Sequence, residues 1–184
     1  MFFINPFIYG GAGGDFESIA TVTVGSGGAS SIEFTSIGSG WQHLQIRYLA
    51  RLASAGEDVL MRFNGDTGTN YVRVHQLKGD GSSASAAALT SGTQIFPGFI
   101  PGSGDTASIF GAVVVDILDY TSTSKHKVTR SFGGADKNGS GDVYLRSGMW
   151  FPSSIAAITS IALTGNGGNF AQHTTAALYG IKAP

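Results

Sequence analysis

Apolar and polar residues alternate with period two through most of the chain, and each alternating run ends in a cluster of Gly, Ser, Asn or Asp. The clearest stretch is residues 30–52. In its second half Leu44, Ile46, Tyr48 and Ala50 fall on one face, while His43, Gln45, Arg47, Leu49 and Arg51 fall on the other. Such a pattern marks a strand with one side in a core and the other toward water or a partner. Similar runs occupy 17–24, 31–37, 58–64, 71–77, 107–118, 125–132, 143–151, 157–164 and 175–182. Gly148 inside one of them is a candidate bulge. Asn64-Gly65 is a hairpin signal, because the tight turn needs positive φ, and it makes 71–77 the expected return strand. Pro97-Gly98 demotes 95–100 to an edge strand or a loop. Residues 78–94, rich in Ala, Ser and Gly, read as a long loop, as does the polar stretch 133–142.

No run has the period of an amphipathic helix, and no segment repeats. About ten short strands with turns between them predict an all-β fold: a two-sheet antiparallel β-sandwich, jelly-roll-like, over residues 15–184. Residues 1–14 form a separate unit, an apolar N-terminal arm that ends in Gly10-Gly-Ala-Gly-Gly14. The aromatic and aliphatic side chains of the arm (Phe2, Phe3, Ile4, Pro6, Phe7, Ile8 and Tyr9) need a surface to cover them. Two alternatives stand: the arm lies on its own domain, or it docks on a neighbouring subunit. The arm has no basic flank, is interrupted at Asn5-Pro6, and is far shorter than the roughly 20 residues a membrane span needs. It is therefore expected to be neither a secretory signal nor a span, and the protein to be made in the cytoplasm.

Composition narrows the partners. Only 12% of residues are charged, about half the usual share of roughly 25%. A surface so poor in charge suits a protein packed against copies of itself or a scaffold. The net charge of −1 and the lack of any Lys/Arg run leave no footprint for nucleic acid. With no cysteine there is no disulfide and no thiolate metal site.

The search for reactive groups yields little. His43, His75, His126 and His173 are scattered among strands and match no metal-binding spacing. No nucleophile elbow and no phosphate-binding loop is present. One loop partly follows a calcium pattern, with Asp136, Asn138 and Ser140 at its first, third and fifth positions and Asp142 at its end. Its twelfth position is Ser147 where a bidentate Glu belongs. A polar hairpin turn uses the same residue types. The expectation is no catalytic residue, no metal and no cofactor, with Asp136, Asn138, Ser140 and Asp142 as the weak metal candidates. Gln45, Arg47 and Arg51, on the polar side of their strand, are the candidate subunit-contact face.

Several segments, taken in order, resemble those of bacteriophage virion proteins: Ile4-Asn-Pro-Phe-Ile-Tyr-Gly10, residues 24–37, His43-Leu-Gln-Ile-Arg47, residues 63–71, Asp116-Ile-Leu-Asp-Tyr120 and Leu178-Tyr-Gly-Ile-Lys182. The resemblance spans nearly the whole chain. It implies a jelly-roll module of a capsid decoration (cement) protein or of a tail fibre, located in the virion. A single short domain with an apolar arm favours decoration. The partners would then be the major capsid protein and copies of the chain itself as a homo-oligomer, a trimer being one such state. No membrane or nucleic acid is expected. The alternatives are a receptor-binding tail protein that contacts a host surface glycan, and a carbohydrate-binding or carbohydrate-processing module.

Overall fold

A computed structural model describes residues 14–182. Twelve strands follow in chain order: β1 (Phe16–Thr23), β2 (Ser31–Phe34), β3 (His43–Ala50), β4 (Glu57–Phe63), β5 (Tyr71–Gly79), β6 (Ala84–Leu89), β7 (Ile95–Ile100), β8 (Gly111–Ile117), β9 (Lys127–Asp136), β10 (Gly141–Trp150), β11 (Ile161–Gly165) and β12 (Thr175–Ile181). They build an eight-stranded sheet, ordered β1-β12-β3-β8-β9-β10-β5-β6, and a four-stranded sheet, ordered β2-β11-β4-β7. All pairings are antiparallel. No helix occurs among the described residues. The fold is the expected all-β sandwich.

The alternation explains the core. Leu44, Ile46 and Tyr48 of β3, with Val113, Val115 and Ile117 of β8, face Ile32, Phe34, Val59, Met61, Phe63, Ile161 and Leu163 of the smaller sheet, and all are buried. Each such side chain contributes about 1.5–3 kcal/mol by leaving water. Gly98 on β7 lets that strand approach closely, since a Cβ there would stand 2.7 Å from the Tyr144 hydroxyl and 2.8 Å from that of Tyr48.

Several expected strand bounds need correction. Residues 78–94 are not one loop: β5 runs on to Gly79, and β6 pairs with it along the sheet edge. Every residue of β6 is exposed, so no apolar alternation marks the strand. The polar stretch 133–142 is mostly strand, with only 137–140 left as the turn. Residues 157–160 are not strand, because β11 starts at Ile161.

The turn at 64–65 has the predicted conformation, with φ of 52° and 67°, yet it does not join a hairpin. The strand before it, β4, belongs to the small sheet and the strand after it, β5, to the large one. Asp66 explains the divergence. Its carboxylate accepts bonds from Gly68 N–H, Asn70 Nδ2 and, at 2.7 Å, Trp150 Nε1, which tie the crossing chain to β10. The expected bulge at Gly148 lies on the partner strand instead: between Ser147 and Met149 two residues of β5, Arg73 and Val74, stand opposite Gly148 alone, while the β10–β9 pairing runs through Gly148 unbroken. The predicted edge at 95–100 is β7, at the margin of the small sheet.

Three carboxylates that tie separate segments together contribute to the acid limit of this fold. Burial pushes Asp66 up, but the bonds from Trp150, Asn70 and Gly68 outweigh it and hold the group below its ordinary value. The Gly102 N–H does the same for Asp105, against burial and with Lys137 assisting. Lys125 and Gln42 do it for Asp119. Each group keeps its charge in the folded chain at pH values where the unfolded chain takes up a proton. Their stabilisation is complete above the unfolded carboxylate value of about 4 and drains as pH falls through the lower folded values. Thermal midpoints should therefore stay level through the weakly acidic range and drop below about pH 4. Asp66→Asn should lower the midpoint at neutral pH and flatten that drop; a wild-type midpoint that does not move on acidification would contradict the assignment.

Candidate functional site: the outer face of the large sheet

The central strands of the large sheet reverse the usual partition. On β9 the buried positions are Lys127, Thr129 and Ser131, and the exposed ones are Val128, Arg130 and Phe132. On β10 Arg146 is buried while Val143 and Leu145 are exposed. Most polar groups turned inward find partners, the buried Arg146 Nε being an exception. Lys127 Nζ donates to the carbonyls of Ser122 (2.5 Å) and Lys125 (2.8 Å), and Ser131 Oγ donates to the Pro97 carbonyl at 2.6 Å. Arg146 pairs with Asp58 of the opposite sheet at 2.5 Å. Burial lowers the Lys127 pKa, with the Asp119 charge opposing it.

The apolar residues turned outward line up across strands. Val114 pairs with Phe132, Phe132 with Leu145, Leu145 with Leu77, and Leu77 with Ala86. One step along the strands, Leu49, Ala112, Gly134, Val143, Gly79 and Ala84 form a second row. Phe132 and Leu77 are each 60% exposed and Leu49 is 56% exposed, so these rows are open surface. The small residues of the second row leave a shallow trough beside Phe132, between Leu49 and Val143. A second depression lies on the other side, against Leu77, Val128 and Leu145.

A polar row borders the apolar ones. Arg47 Nε donates to Gln45 Oε1 (2.7 Å), Gln45 Nε2 donates to Asp116 (2.7 Å), and Arg130 pairs with Asp116 at 3.0 Å. Arg47 also lies 5.0 Å over the Phe16 ring and 5.2 Å over that of Tyr179, and the two rings stack at 4.9 Å.

Of the predicted contact residues, Gln45 and Arg47 thus sit together on this face. Arg51 does not join them. Its guanidinium donates to the carbonyls of Asp105, Thr106 and Ile109 and clamps the loop before β8. The arm residues Phe2, Phe3, Ile4, Pro6, Phe7, Ile8 and Tyr9 lie outside the described residues. In the loop with the calcium-like spacing, Asp136 Oδ1 accepts the Asn138 N–H at 2.8 Å, as a turn does, and Asp142 is held by Lys78 at 2.9 Å. Asn138 and Gly139 have φ of 61° and 111°, the conformation of a tight turn. Among the described residues no group of three or more His, Cys, Asp and Glu side chains is placed to hold a metal ion. His43 accepts the Asp119 N–H and belongs to a corner that Gln42 and Lys125 complete.

Sequence reasoning missed the apolar rows. The signal was present in 127–132, where the apolar phase of the alternation is Val128 and Phe132 and the polar phase is Lys127, Thr129 and Ser131. Reading the apolar phase as inward conceals the face. No helix of the described residues is long and apolar enough to cross a membrane. Comparison with protein-family models, curated proteins and solved structures gave no match.

Proposed function

We propose that the chain is a non-enzymatic structural protein of a bacteriophage particle: a capsid decoration (cement) protein that binds the outer capsid surface and stabilises it through contacts with the major capsid protein and with copies of itself. The observation that carries the assembly part of this reading is the outward apolar face of the large sheet. An exposed apolar patch rimmed by polar residues is the mark of a surface that another protein covers. The low charge of the chain supports the same reading, and the phage context rests on the resemblance of the segments quoted above.

Copy number and location test it. Purified chain should bind expanded capsids, and a quantified gel of virions should show it in numbers comparable with the capsid subunit. A few copies per particle, found at the tail, would reject decoration in favour of a receptor-binding tail protein.

A further inference from the structure

We propose that the apolar rows around Phe132 and Leu145 receive the N-terminal arm, residues 2–9, of a neighbouring copy. This rests on the reading of the chain as an assembly protein and names the contact that joins its copies.

Size selects the arm over a whole second sheet. The row that starts at Leu49 crosses from β3 to β6, five strand intervals, or about 24 Å at the usual strand spacing, and the row that starts at Val114 crosses from β8 to β6. Eight extended residues span about 26 Å. Two rows one strand repeat apart, with the breadth of their side chains, give a patch on the order of 300 Å2. A stable dimer needs about 800 Å2 from each partner, so two such faces alone fall short. A segment carrying Phe2, Phe3, Phe7 and Tyr9 brings bulky rings that suit a trough floored by Ala112 and Gly134.

Charge agrees as well. Residues 1–14 contain no Asp, Glu, Lys or Arg, and the rows carry none from β8 to β6; Arg47 of β3, the cross-strand partner of Val114, closes one end of the trough. An arm with a charged residue would place it against Val114, Phe132 and Leu145 without a partner.

Direction selects a neighbour over the same chain. Lys182 N–H donates to the Asp15 carbonyl at 2.9 Å, so the sheet holds the chain up to residue 15. Phe16 pairs with Ile181, which pairs with His43, so the chain enters the sheet at the end of β3 opposite Leu49, and it bends at Asp15. The chain's own apolar rows lie toward the far end of β3, level with Leu49, and the corner built by Phe16, Tyr179 and Arg47 stands between them and residue 15. No such corner stands before a neighbour's face.

The test places a photoreactive benzophenone amino acid at Phe7 in the full chain, irradiates assembled protein, and maps the products by mass spectrometry. The expected product is a covalent dimer with the link between 112 and 145 of the second chain. A link to the same region within one chain, or a dimer linked elsewhere, overturns the proposal. Deleting residues 1–9 should leave thermal unfolding unchanged and weaken self-association by about tenfold or more, equivalent to at least about 1.4 kcal/mol. The pair Phe132→Ser and Leu145→Ser, both at exposed positions, should do the same. If the truncated chain no longer folds, the segment belongs to its own core and the proposal fails. If either variant associates like the intact chain, it fails as well. These outcomes are separable from the decoration reading: a chain that cross-links as expected but ignores capsids keeps the arm contact and loses the capsid, and a truncated chain that still binds capsids and still self-associates does the reverse.

Discussion

Trp150→Ala should cost about 4 kcal/mol of folding stability. The indole is 3% exposed, lies 5.7 Å from the Phe63 ring and 6.5 Å from that of Tyr71, and donates to Asp66 at 2.7 Å. Truncation removes the buried ring and leaves a cavity, which for Phe or Trp costs about 3–5 kcal/mol. It also takes a donor from the carboxylate that anchors the crossing between sheets. In a chain of this length about 4 kcal/mol corresponds to a drop of roughly 8–16 °C in Tm. Trp150→Phe separates the two contributions: it keeps most of the packing, loses the N–H, and should raise the Asp66 pKa toward its ordinary value. Circular dichroism melts measure the stability and carboxyl NMR measures the titration. A Trp150→Ala melt within about 2 °C of wild type would show that the ring is not a keystone. The Tyr71 hydroxyl, which donates to the Asp66 carbonyl at 3.2 Å and whose pKa burial pushes up to about 12, belongs to the same cluster.

Asp58→Ala is the second large effect, at about 3 kcal/mol. Asp58 and Arg146 form the ion pair that bridges the two sheets, and the arginine side chain is 7% exposed against 22% for the aspartate. Removing the carboxylate strands a guanidinium whose other bond is a 3.3 Å contact to the Phe96 carbonyl. Breaking a buried pair from one side costs about 3–5 kcal/mol, because the remaining charge stays desolvated. The partial exposure of Asp58 places the estimate at the low end. Asp58→Ala combined with Arg146→Met should recover most of the loss, since a well-packed apolar replacement of both partners is often neutral. Urea unfolding of the two single variants and the double variant closes the cycle. A double variant no better than Asp58→Ala would mean that the arginine carries the stability through packing on Tyr144, 4.7 Å from its ring.

Much of the sandwich was legible in the chain, and the failures share a cause. Strands with one wet and one dry face, such as β3, announce themselves through alternation. The strand β6 is wet on both faces, so its Ala/Ser sequence carries no phase and reads as a loop. Asn64-Gly65 specifies a turn, but whether two strands pair across it depends on Asp66 finding Trp150, a partner 84 residues away that local sequence cannot supply. The candidate face was half legible. Gln45 and Arg47 were found because polar residues were sought on the outer side, whereas Phe132, Leu145 and Leu77 were missed because apolar residues were assumed to point inward. Arg51 follows the alternation of its strand but lies just beyond its end, where the guanidinium turns to the loop at 105–109.

The inverted strands also bear on how the large sheet finds its pairing. In an ordinary half-buried strand, a slip of one residue exposes the whole hydrophobic set and is rejected. On β9 such a slip would exchange Lys127, Thr129 and Ser131 for Val128, Arg130 and Phe132, which hydrophobicity alone does not forbid. What distinguishes the correct alignment is a set of polar pins: Lys127 on two carbonyls, Ser131 on Pro97, and Arg146 on Asp58. The buried polar groups at the centre of this sheet thus serve as an alignment code, and the two apolar residues they displace outward, Val128 and Phe132, are left free to meet another molecule.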